Sequence, residues 1–368
     1  YAGAEPATGY PSAVDPNARV MLSVSAVILA LVLAARVLGP EPSTQPDGQR
    51  PTASAPAPPE APVPDERRRP EKLDVQGHRG ARGLRPENTL VAFDEALRLG
   101  VSTVELDLGV TLDGAVVVAH DPYVHPEICL WPDGEPIEDE QGPLLRDMRL
   151  DEVQQFDCGS LNPDPARYAE PPRENFPGAS IPTLDEVFDL ARQRSAREVR
   201  FNIEIKHVPG SDDTVPLDDF VRTVIDVVRK YDMVERTTLQ SFDWRALELA
   251  DRIEPRLQIA ALWVSETDEP KWHAGLVAGP GEALPDLLAR LDAEVDVFSP
   301  YWEELATDPE DPNGIAAFQE RGIRVVPWTV DDETTMRQLI DSGVDGIISD
   351  RPDRLLELCR ELGIPVGV

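Results

Sequence analysis

Short apolar runs alternate with segments of helical periodicity from residue 73 to the end of the chain. Runs such as Gln258–Val264 are almost entirely apolar, as expected of strands buried on both faces of a parallel sheet. In segments such as Leu217–Tyr231, apolar residues recur every three or four positions, which predicts helices with one buried side. The predicted strands are Leu73–Gly77, Thr103–Val110, Ala115–Ala119, Val199–Lys206, Thr237–Phe242, Gln258–Val264, Val295–Ser299, Arg324–Thr329 and Gly346–Ile348. The predicted helices are Asn88–Leu99, Leu150–Phe156, Asp185–Arg194, Leu217–Tyr231, Arg245–Ile253, Asp286–Leu291, Gly314–Arg321, Asp332–Asp341 and Pro352–Leu362, the first of them capped by Asn88 or Thr89.

This alternation predicts an α/β fold. Roughly eight strand–helix units over about 290 residues are typical of a (β/α)8 TIM-type barrel. A doubly wound open sheet is the alternative, but the Gly-rich dinucleotide-binding signature of that fold is absent from the sequence.

Residues 122–181 interrupt the alternation. They are rich in proline and acidic residues and contain one clear helical pattern, Leu150–Phe156. We interpret them as an insertion in one loop of the barrel. Insertions at the C-terminal ends of barrel strands shape access to the substrate site.

The first 70 residues differ in composition from the rest. Residues 1–19 are rich in Pro, Ala and Gly and are predicted to be disordered. The uncharged run Val20–Ala35 lies within 20–39, and its length suits both a cleaved signal peptide and an uncleaved transmembrane anchor. Residues 40–70 contain ten prolines and predict an extended Pro-rich linker. The barrel, 71–368, is therefore expected to be extracytoplasmic, either membrane-anchored or secreted.

The three cysteines fit this location. Cys129 and Cys158 both lie in the insertion, and a disulfide between them is expected outside the cytoplasm. Cys359 lies in the last predicted helix, where we expect a buried thiol.

The charge balance of the chain bears on which partners it can bind. The chain has 68 acidic against 35 basic residues and a formal net charge of -33. Nucleic acid needs basic partners and is therefore not expected to bind. An anionic substrate would need a local cation to overcome this negative field. Nothing in the sequence implies an obligate protein partner.

Carboxylates cluster in the predicted strands. Glu105 and Asp107 are two positions apart, so they point to the same side of their strand, and Glu204 occupies a neighbouring strand. Buried carboxylates are unfavourable unless they are paired or bind a metal ion. Three carboxylates without sulfur or imidazole partners suit a hard divalent cation, Mg²⁺ or Ca²⁺.

Two of the five histidines, His78 and His120, stand at predicted strand ends, where barrel active sites gather. They could act as general base and general acid, and Arg79 and Lys206 could bind a phosphate group. Trp328 could belong to the core or form a substrate platform.

Structural roles are the alternatives to this assignment. Arg79 could pair with Glu87 or Asp107, and Glu204 with Lys206. The other histidines, His125, His207 and His273, are expected at the surface.

These residues lie in motifs that resemble the glycerophosphodiester phosphodiesterase family. The matching text is GHRGARGLRPENTLVAFDEAL (77–97), VELDLGVTLDGAVVVAHD (104–121), FNIEIK (201–206), LQSFD (239–243), VPWTV (326–330) and DGIISDRPD (345–353). The resemblance covers roughly residues 73–365 and includes the insertion. It implies a TIM-type barrel that hydrolyses glycerophosphodiesters to glycerol 3-phosphate and an alcohol.

The resemblance also implies a role for each site residue. Glu105, Asp107 and Glu204 would ligate the divalent metal ion, His78 and His120 would be the acid/base pair, and Arg79 and Lys206 would hold the phosphate. Glu87, in the Pro-Glu-Asn-Thr block, would be a further site carboxylate or would orient His78 or Arg79.

Two other functions are kept as alternatives. One is phospholipase C-like or sphingomyelinase D-like hydrolysis of intact lipids. The other is a catalytically silent cell-surface module that binds glycerophosphate polymers.

Overall fold

Nine strands and nine α-helices alternate along residues 69–368, the part of the chain that the computed structural model describes. The predicted segments 1–19 and 20–39, and all but the end of 40–70, lie outside it. The strands are β1 Asp74–Gly77, β2 Thr103–Val110, β3 Val116–Val118, β4 Arg200–Ile205, β5 Thr237–Ser241, β6 Gln258–Trp263, β7 Val297–Pro300, β8 Arg324–Val325 and β9 Gly346–Ser349. The helices are α1 Leu90–Leu99, α2 Leu150–Val153, α3 Leu184–Gln193, α4 Leu217–Lys230, α5 Trp244–Ile253, α6 Leu284–Leu288, α7 Ile315–Gln319, α8 Glu333–Ser342 and α9 Pro352–Leu362.

Eight parallel strands form a barrel in the order β8-β7-β6-β5-β4-β2-β1-β9, and β3 pairs antiparallel with β2. Backbone hydrogen bonds between residues in or next to β8 and β9 close the barrel. The Asp345 N–H donates to the Val325 carbonyl at 2.9 Å and the Ile348 N–H to the Pro327 carbonyl at 3.0 Å. The predicted (β/α)8 barrel is confirmed.

The helices cover the barrel with their apolar sides. In α4, the buried side chains recur every three or four residues, as in Phe220, Val224 and Val228. The Thr89 hydroxyl accepts a hydrogen bond from the Ala92 N–H and caps α1, one of the two predicted caps.

Most predicted elements are present with shifted ends, whereas Thr103–Val110 and Pro352–Leu362 have the predicted bounds. The largest shortening is in β8, which was predicted to reach Thr329. Beyond Val325, the Val326 and Trp328 N–H groups still donate to the Phe298 and Pro300 carbonyls of β7, whereas Pro327 has no N–H to donate.

Val124, Val153 and Phe156 of the insertion, 122–181, belong to a second, smaller apolar core that also includes Val117 of β3. A disulfide joins Cys129 to Cys158 within it, with an S–S distance of 2.05 Å. Cys359, in α9, is a buried free thiol, as expected. None of the helices within residues 69–368 combines the length and the apolar character needed to cross a bilayer.

The two ends of the described chain meet where the barrel strands begin. The Leu73 N–H donates to the Pro365 carbonyl at 2.9 Å, and the Gly367 N–H donates to the Leu73 carbonyl at 3.0 Å. Arg69 Nε lies 2.6 Å from Asp341 Oδ1, near the end of α8. The chain therefore enters and leaves the barrel at the same end.

Candidate active site

Three buried carboxylates meet inside the barrel. Glu105 and Asp107 alternate along β2, and Asp107 is the register partner of Glu204 on β4. Each residue contributes one oxygen to a set whose members all lie within 4.8 Å of one another. The structure thus brings together the three predicted metal ligands.

Hydrogen bonds from neighbouring elements hold two of these carboxylates. Glu105 accepts from Gln240 Nε2 and from the Arg79 N–H, each at 2.8 Å. Asp107 accepts from Asn88 Nδ2 at 2.9 Å, and Arg79 Nε lies 3.2 Å from its Oδ2. These contacts hold both carboxylate groups in position beside Glu204.

Lys206 connects the third carboxylate to a histidine. Its ammonium lies 3.0 Å from Glu204 Oε1, 3.7 Å from Asp107 Oδ1 and 2.9 Å from His120 Nε2. The ion pair between Glu204 and Lys206, named above as a structural alternative, exists inside the cluster, and Lys206 also donates to the imidazole.

The carboxylates repel one another electrostatically. Burial and the charge of Asp107 raise the pKa of Glu105 well above its ordinary value, and burial raises the pKa of Glu204 to about 7. Burial acts against ionisation of Asp107 too, but Arg79 and other cations outweigh it and lower that pKa. An additional cation among these oxygens would relieve the repulsion.

The donor set fits a hard divalent cation. All three side chains of the cluster offer carboxylate oxygens, which Mg²⁺ and Ca²⁺ prefer, and none offers sulfur or imidazole nitrogen. A divalent cation bound among the three carboxylates would replace their mutual repulsion by attraction to the ion.

His78 follows β1 and contacts the carboxylate of Asp350, which follows the neighbouring strand β9. Its Nδ1 lies 2.5 Å from Asp350 Oδ1, and its Nε2 lies 3.9 Å from Glu105 Oε2. Burial lowers the pKa of His78 despite the opposing charge of Asp350. The imidazole is therefore neutral near pH 7, with Nδ1–H donating to Asp350 and Nε2 unprotonated.

His120 lies on the other side of the cluster. Besides its contact with Lys206, its Nδ1 lies 3.4 Å from Asp121 Oδ2. Burial lowers the pKa of His120 to about 4, assisted by the charges of Arg79 and Lys206. Without a bound anion, this imidazole too is neutral at pH 7.

Glu87 links two arginines beside the cluster. It pairs with Arg79 and lies 2.7 Å from Arg82 Nε. Burial opposes its ionisation, but the two guanidinium groups lower the pKa of Glu87. Arg79 pairs with both Glu87 and Asp107, the two structural alternatives named for it, and Glu87 orients Arg79 toward the carboxylates.

Trp328 lies at the C-terminal end of the barrel and is half-buried. Its indole Nε1 donates to the Ser299 carbonyl at 2.8 Å, and its ring centroid lies 5.6 Å from those of Phe242 and Tyr301. One edge of the ring thus packs against its neighbours while part of it reaches the surface.

Several site residues were not predicted. Asp350 directly follows β9, so the same strand-end rule that selected His78 could have found it. Asn88 and Gln240 donate hydrogen bonds to Asp107 and Glu105. Arg167 and Tyr168 of the insertion contact Asp350, and they lie in a segment whose sequence shows no helical or strand periodicity.

The expectation that all the other histidines are surface residues is wrong for His273. It is buried and stacks on Trp244 with a centroid distance of 4.1 Å. His207 is half-buried, and its Nδ1 lies 2.8 Å from Asp243 Oδ2. His273 and His207 are shielded from solvent by contacts with Trp244 and Asp243, which are distant in sequence. No local sequence pattern indicates such contacts.

Known proteins with similar sequences and folds match this part of the chain. The family model described as Glycerophosphoryl diester phosphodiesterase family matches residues 78–354. A glycerophosphodiester phosphodiesterase from Caldanaerobacter subterraneus subsp. tengcongensis is 30% identical over 296 residues, which cover 79% of this chain and 100% of that protein. A solved structure from Silicibacter pomeroyi, assigned to the glycerophosphoryl diester phosphodiesterases, is 27% identical with a TM-score of 0.70 and covers 80% of this chain and 96% of that one. A phosphodiesterase from Oleispira antarctica, solved with the product sn-glycerol-3-phosphate, has a TM-score of 0.59 at 23% identity, with 78% of this chain and 97% of that chain covered, and shares the fold.

Proposed function

The chain belongs to the glycerophosphoryl diester phosphodiesterase family, and from this premise we propose that it hydrolyses glycerophosphodiesters to glycerol 3-phosphate and an alcohol in a metal-dependent reaction. The observation that carries the proposal is the cluster of Glu105, Asp107 and Glu204, with His78 and His120 on either side of it. In this assignment the three carboxylates hold Mg²⁺ or Ca²⁺. A bound divalent cation supplies charge neutralisation at the phosphate and lowers the pKa of a hydroxyl next to it.

His78 is placed to accept a proton. Its Nδ1–H is engaged by Asp350, so its Nε2 is the basic atom, and that atom is the one nearest the carboxylate cluster. In the first step it takes the proton from a glycerol hydroxyl as that oxygen attacks phosphorus and the alcohol departs. This step leaves a cyclic glycerol phosphate, and a water molecule then opens the ring to give glycerol 3-phosphate.

His120 is assigned the complementary role of protonating the departing alcohol. Its imidazole is neutral in the absence of substrate, and a phosphate anion beside it stabilises the imidazolium form. In the second step the two histidines exchange roles, so that each returns to its starting protonation state.

Two cations would bind the phosphate group. Arg79 is oriented by Glu87 and Asp107, and Lys206 lies between the carboxylates and His120. Local positive charge is required because the net charge of the chain is -33. Trp328, partly exposed at the C-terminal end of the barrel, would form one wall for the substrate.

We also propose an extracytoplasmic location, with the chain secreted or held at the membrane through residues 20–39. The uncharged run Val20–Ala35 and the Pro-rich segment that follows it support this. The disulfide between Cys129 and Cys158 is also typical of proteins outside the cytoplasm. The expected partner is a small glycerophosphodiester, with no nucleic acid.

The test is to incubate the full chain with glycerophosphocholine or glycerophosphoethanolamine and to measure glycerol 3-phosphate. EDTA should stop its release, and Mg²⁺ or Ca²⁺, added separately, should restore it. Undiminished release in EDTA would contradict the metal assignment. No release with either ion would contradict the proposed substrate class and favour an intact lipid, a glycerophosphate polymer or a silent binding module.

A further inference from the structure

Asp350 is a fully buried carboxylate whose three partners come from distant parts of the chain. Its Oδ1 lies 2.5 Å from His78 Nδ1. Its Oδ2 accepts from the Tyr168 hydroxyl at 2.6 Å and lies 3.0 Å from Arg167 Nη2. Asp350 follows β9 and His78 follows β1, whereas Tyr168 and Arg167 belong to the insertion, 122–181.

The contact with Asp350 decides which nitrogen of His78 carries the proton. A carboxylate next to Nδ1 favours the tautomer protonated at that atom, and it also limits rotation of the ring. The unprotonated Nε2 is then held near Glu105, at 3.9 Å from its Oε2. Loss of Asp350 would allow the other tautomer, in which Nε2 cannot accept a proton.

The insertion fixes the position of Asp350 from its other side. Tyr168 is 2% exposed, so its hydrogen bond to Asp350 is shielded from solvent. Arg167 lies 2.6 Å from Asp331 Oδ2 as well, and Asp331 Oδ1 accepts from the Asp350 N–H at 2.9 Å. Asp350 is therefore held through both its backbone and its side chain.

Electrostatics keep this carboxylate ionised. Burial opposes its ionisation, but Arg82, His78 and Arg167 outweigh burial and hold the pKa of Asp350 well below its ordinary value. The ionised carboxylate of Asp350 only accepts hydrogen bonds, which matches its contacts with His78, Tyr168 and Arg167.

We propose that Asp350 is a positioning residue that sets the tautomer and orientation of His78, and that Tyr168 and Arg167 of the insertion hold Asp350 in place for this task. The inference rests on the proposed function, because the role of His78 as proton acceptor belongs to it. The insertion then contributes to the chemical step as well as to substrate access.

The experiment compares the near-isosteric variants Asp350→Asn and Tyr168→Phe with the unchanged full chain. Asp350→Asn should lower kcat for glycerophosphocholine by about a hundredfold to ten-thousandfold, as loss of the orienting carboxylate does in comparable histidine pairs. Tyr168→Phe should lower kcat by about tenfold, as expected for one lost hydrogen bond, with KM little changed in both variants. The matched control is Tyr231→Phe, which removes a hydroxyl that donates to Asp189 at 3.1 Å outside the site.

Histidine ¹⁵N NMR spectra give a readout that a purely structural role would not move. With His78 assigned through its loss in His78→Gln, its signals should show protonation at Nδ1 in the unchanged chain and a shift toward the other tautomer in Asp350→Asn. This measurement needs no turnover, so it tests the positioning role even if the proposed reaction fails. An unchanged tautomer, an unchanged kcat in Asp350→Asn, or an equal loss of kcat in Tyr168→Phe and Tyr231→Phe would overturn the inference.

Discussion

Asp107 on β2 and Glu204 on β4 are direct register partners, so two carboxylates stand side by side inside the barrel. Like charges at paired positions of neighbouring strands destabilise a sheet. Glu105, two residues before Asp107, adds a third carboxylate on the same side of the strand. We therefore expect this arrangement to lower the stability of the metal-free protein and to favour cation binding.

Replacing Glu105 by Gln should separate metal binding from folding. In the wild type, Mg²⁺ or Ca²⁺ should raise the midpoint of thermal unfolding, because the ion binds the folded chain alone. Glu105→Gln should remove most of this rise, yet in EDTA its midpoint should equal or exceed that of the wild type because one source of repulsion is gone. Differential scanning calorimetry with and without each ion measures both effects.

The exposed residue Glu320 provides the matched control, since Glu320→Gln changes the same functional group far from the cluster. It should keep the full metal-induced rise. A lower midpoint for Glu105→Gln in EDTA, together with an undiminished response to the ions, would contradict the assignment of the cluster.

Replacing His120 by Ala should remove one of the two proton-transfer groups. We expect kcat to fall by about a hundredfold to ten-thousandfold, the usual contribution of a general acid or base. The far-ultraviolet circular dichroism spectrum should be unchanged. His125→Ala is the control, because His125 is half-buried, contacts Asp121 at 3.8 Å and has no role in the proposed reaction. Comparable losses in both variants would argue against the role of His120.

Thiol counting tests the cysteine arrangement. Of the three cysteines, two form the disulfide, so denaturation without reductant should expose one thiol per chain and denaturation with reductant three. Burial raises the pKa of Cys359 to about 11, so the native chain should react slowly with thiol reagents at pH 8. Denatured Cys359→Ala should show no reactive thiol without reductant and two thiols with reductant. Two or more thiols in the denatured wild type without reductant would rule out the disulfide.

Loss of the same disulfide should also lower stability. It closes a loop with a sequence separation of 29 residues. Chain-entropy arguments give about 3–4 kcal/mol for a loop of this length, so urea unfolding of Cys129→Ser/Cys158→Ser should show a decrease of that order. An unchanged free energy of unfolding would mean that the insertion is ordered without the link.

Glu254 should make stability depend on pH in the acid range. It accepts hydrogen bonds from Arg256 and from Arg229 Nε, the latter at 2.8 Å, and these lower its pKa to about 2. A group with a lower pKa in the folded than in the unfolded state stabilises the fold above its unfolded pKa, near 4.5, and loses that effect as the pH falls toward 2. At pH 7 the free energy of unfolding of Glu254→Gln should therefore be about 1 kcal/mol lower than that of the wild type, a modest effect because the two arginines are exposed.

Urea unfolding at pH 7, 5, 4 and 3 follows this difference, which should shrink steadily below pH 4.5. Glu320→Gln serves again as control and should track the wild type. A difference of the same size at every pH would show that Glu254 acts through packing and not through its charge.

Periodicity in the sequence was sufficient to predict the barrel and the carboxylate cluster. Strand alternation placed Glu105 and Asp107 on one side, and parallel neighbours placed Glu204 next to them. Contacts between distant segments follow no such rule. The hydrogen bond from Tyr168 to Asp350 spans 182 residues and begins in an insertion with little regular structure, so no local pattern could predict it.

The two ends of the described chain meet at Leu73 and Pro365, which determines where the barrel can be coupled to another molecule. His78 and Asp350 follow their strands, whereas Leu73 precedes β1, so Leu73 lies at the pole of the barrel opposite His78 and Asp350. Arg69, which contacts Asp341, lies at the pole remote from His78 and Asp350. A label or solid support coupled at Arg69 would therefore be attached away from the strand ends that His78 and Asp350 follow.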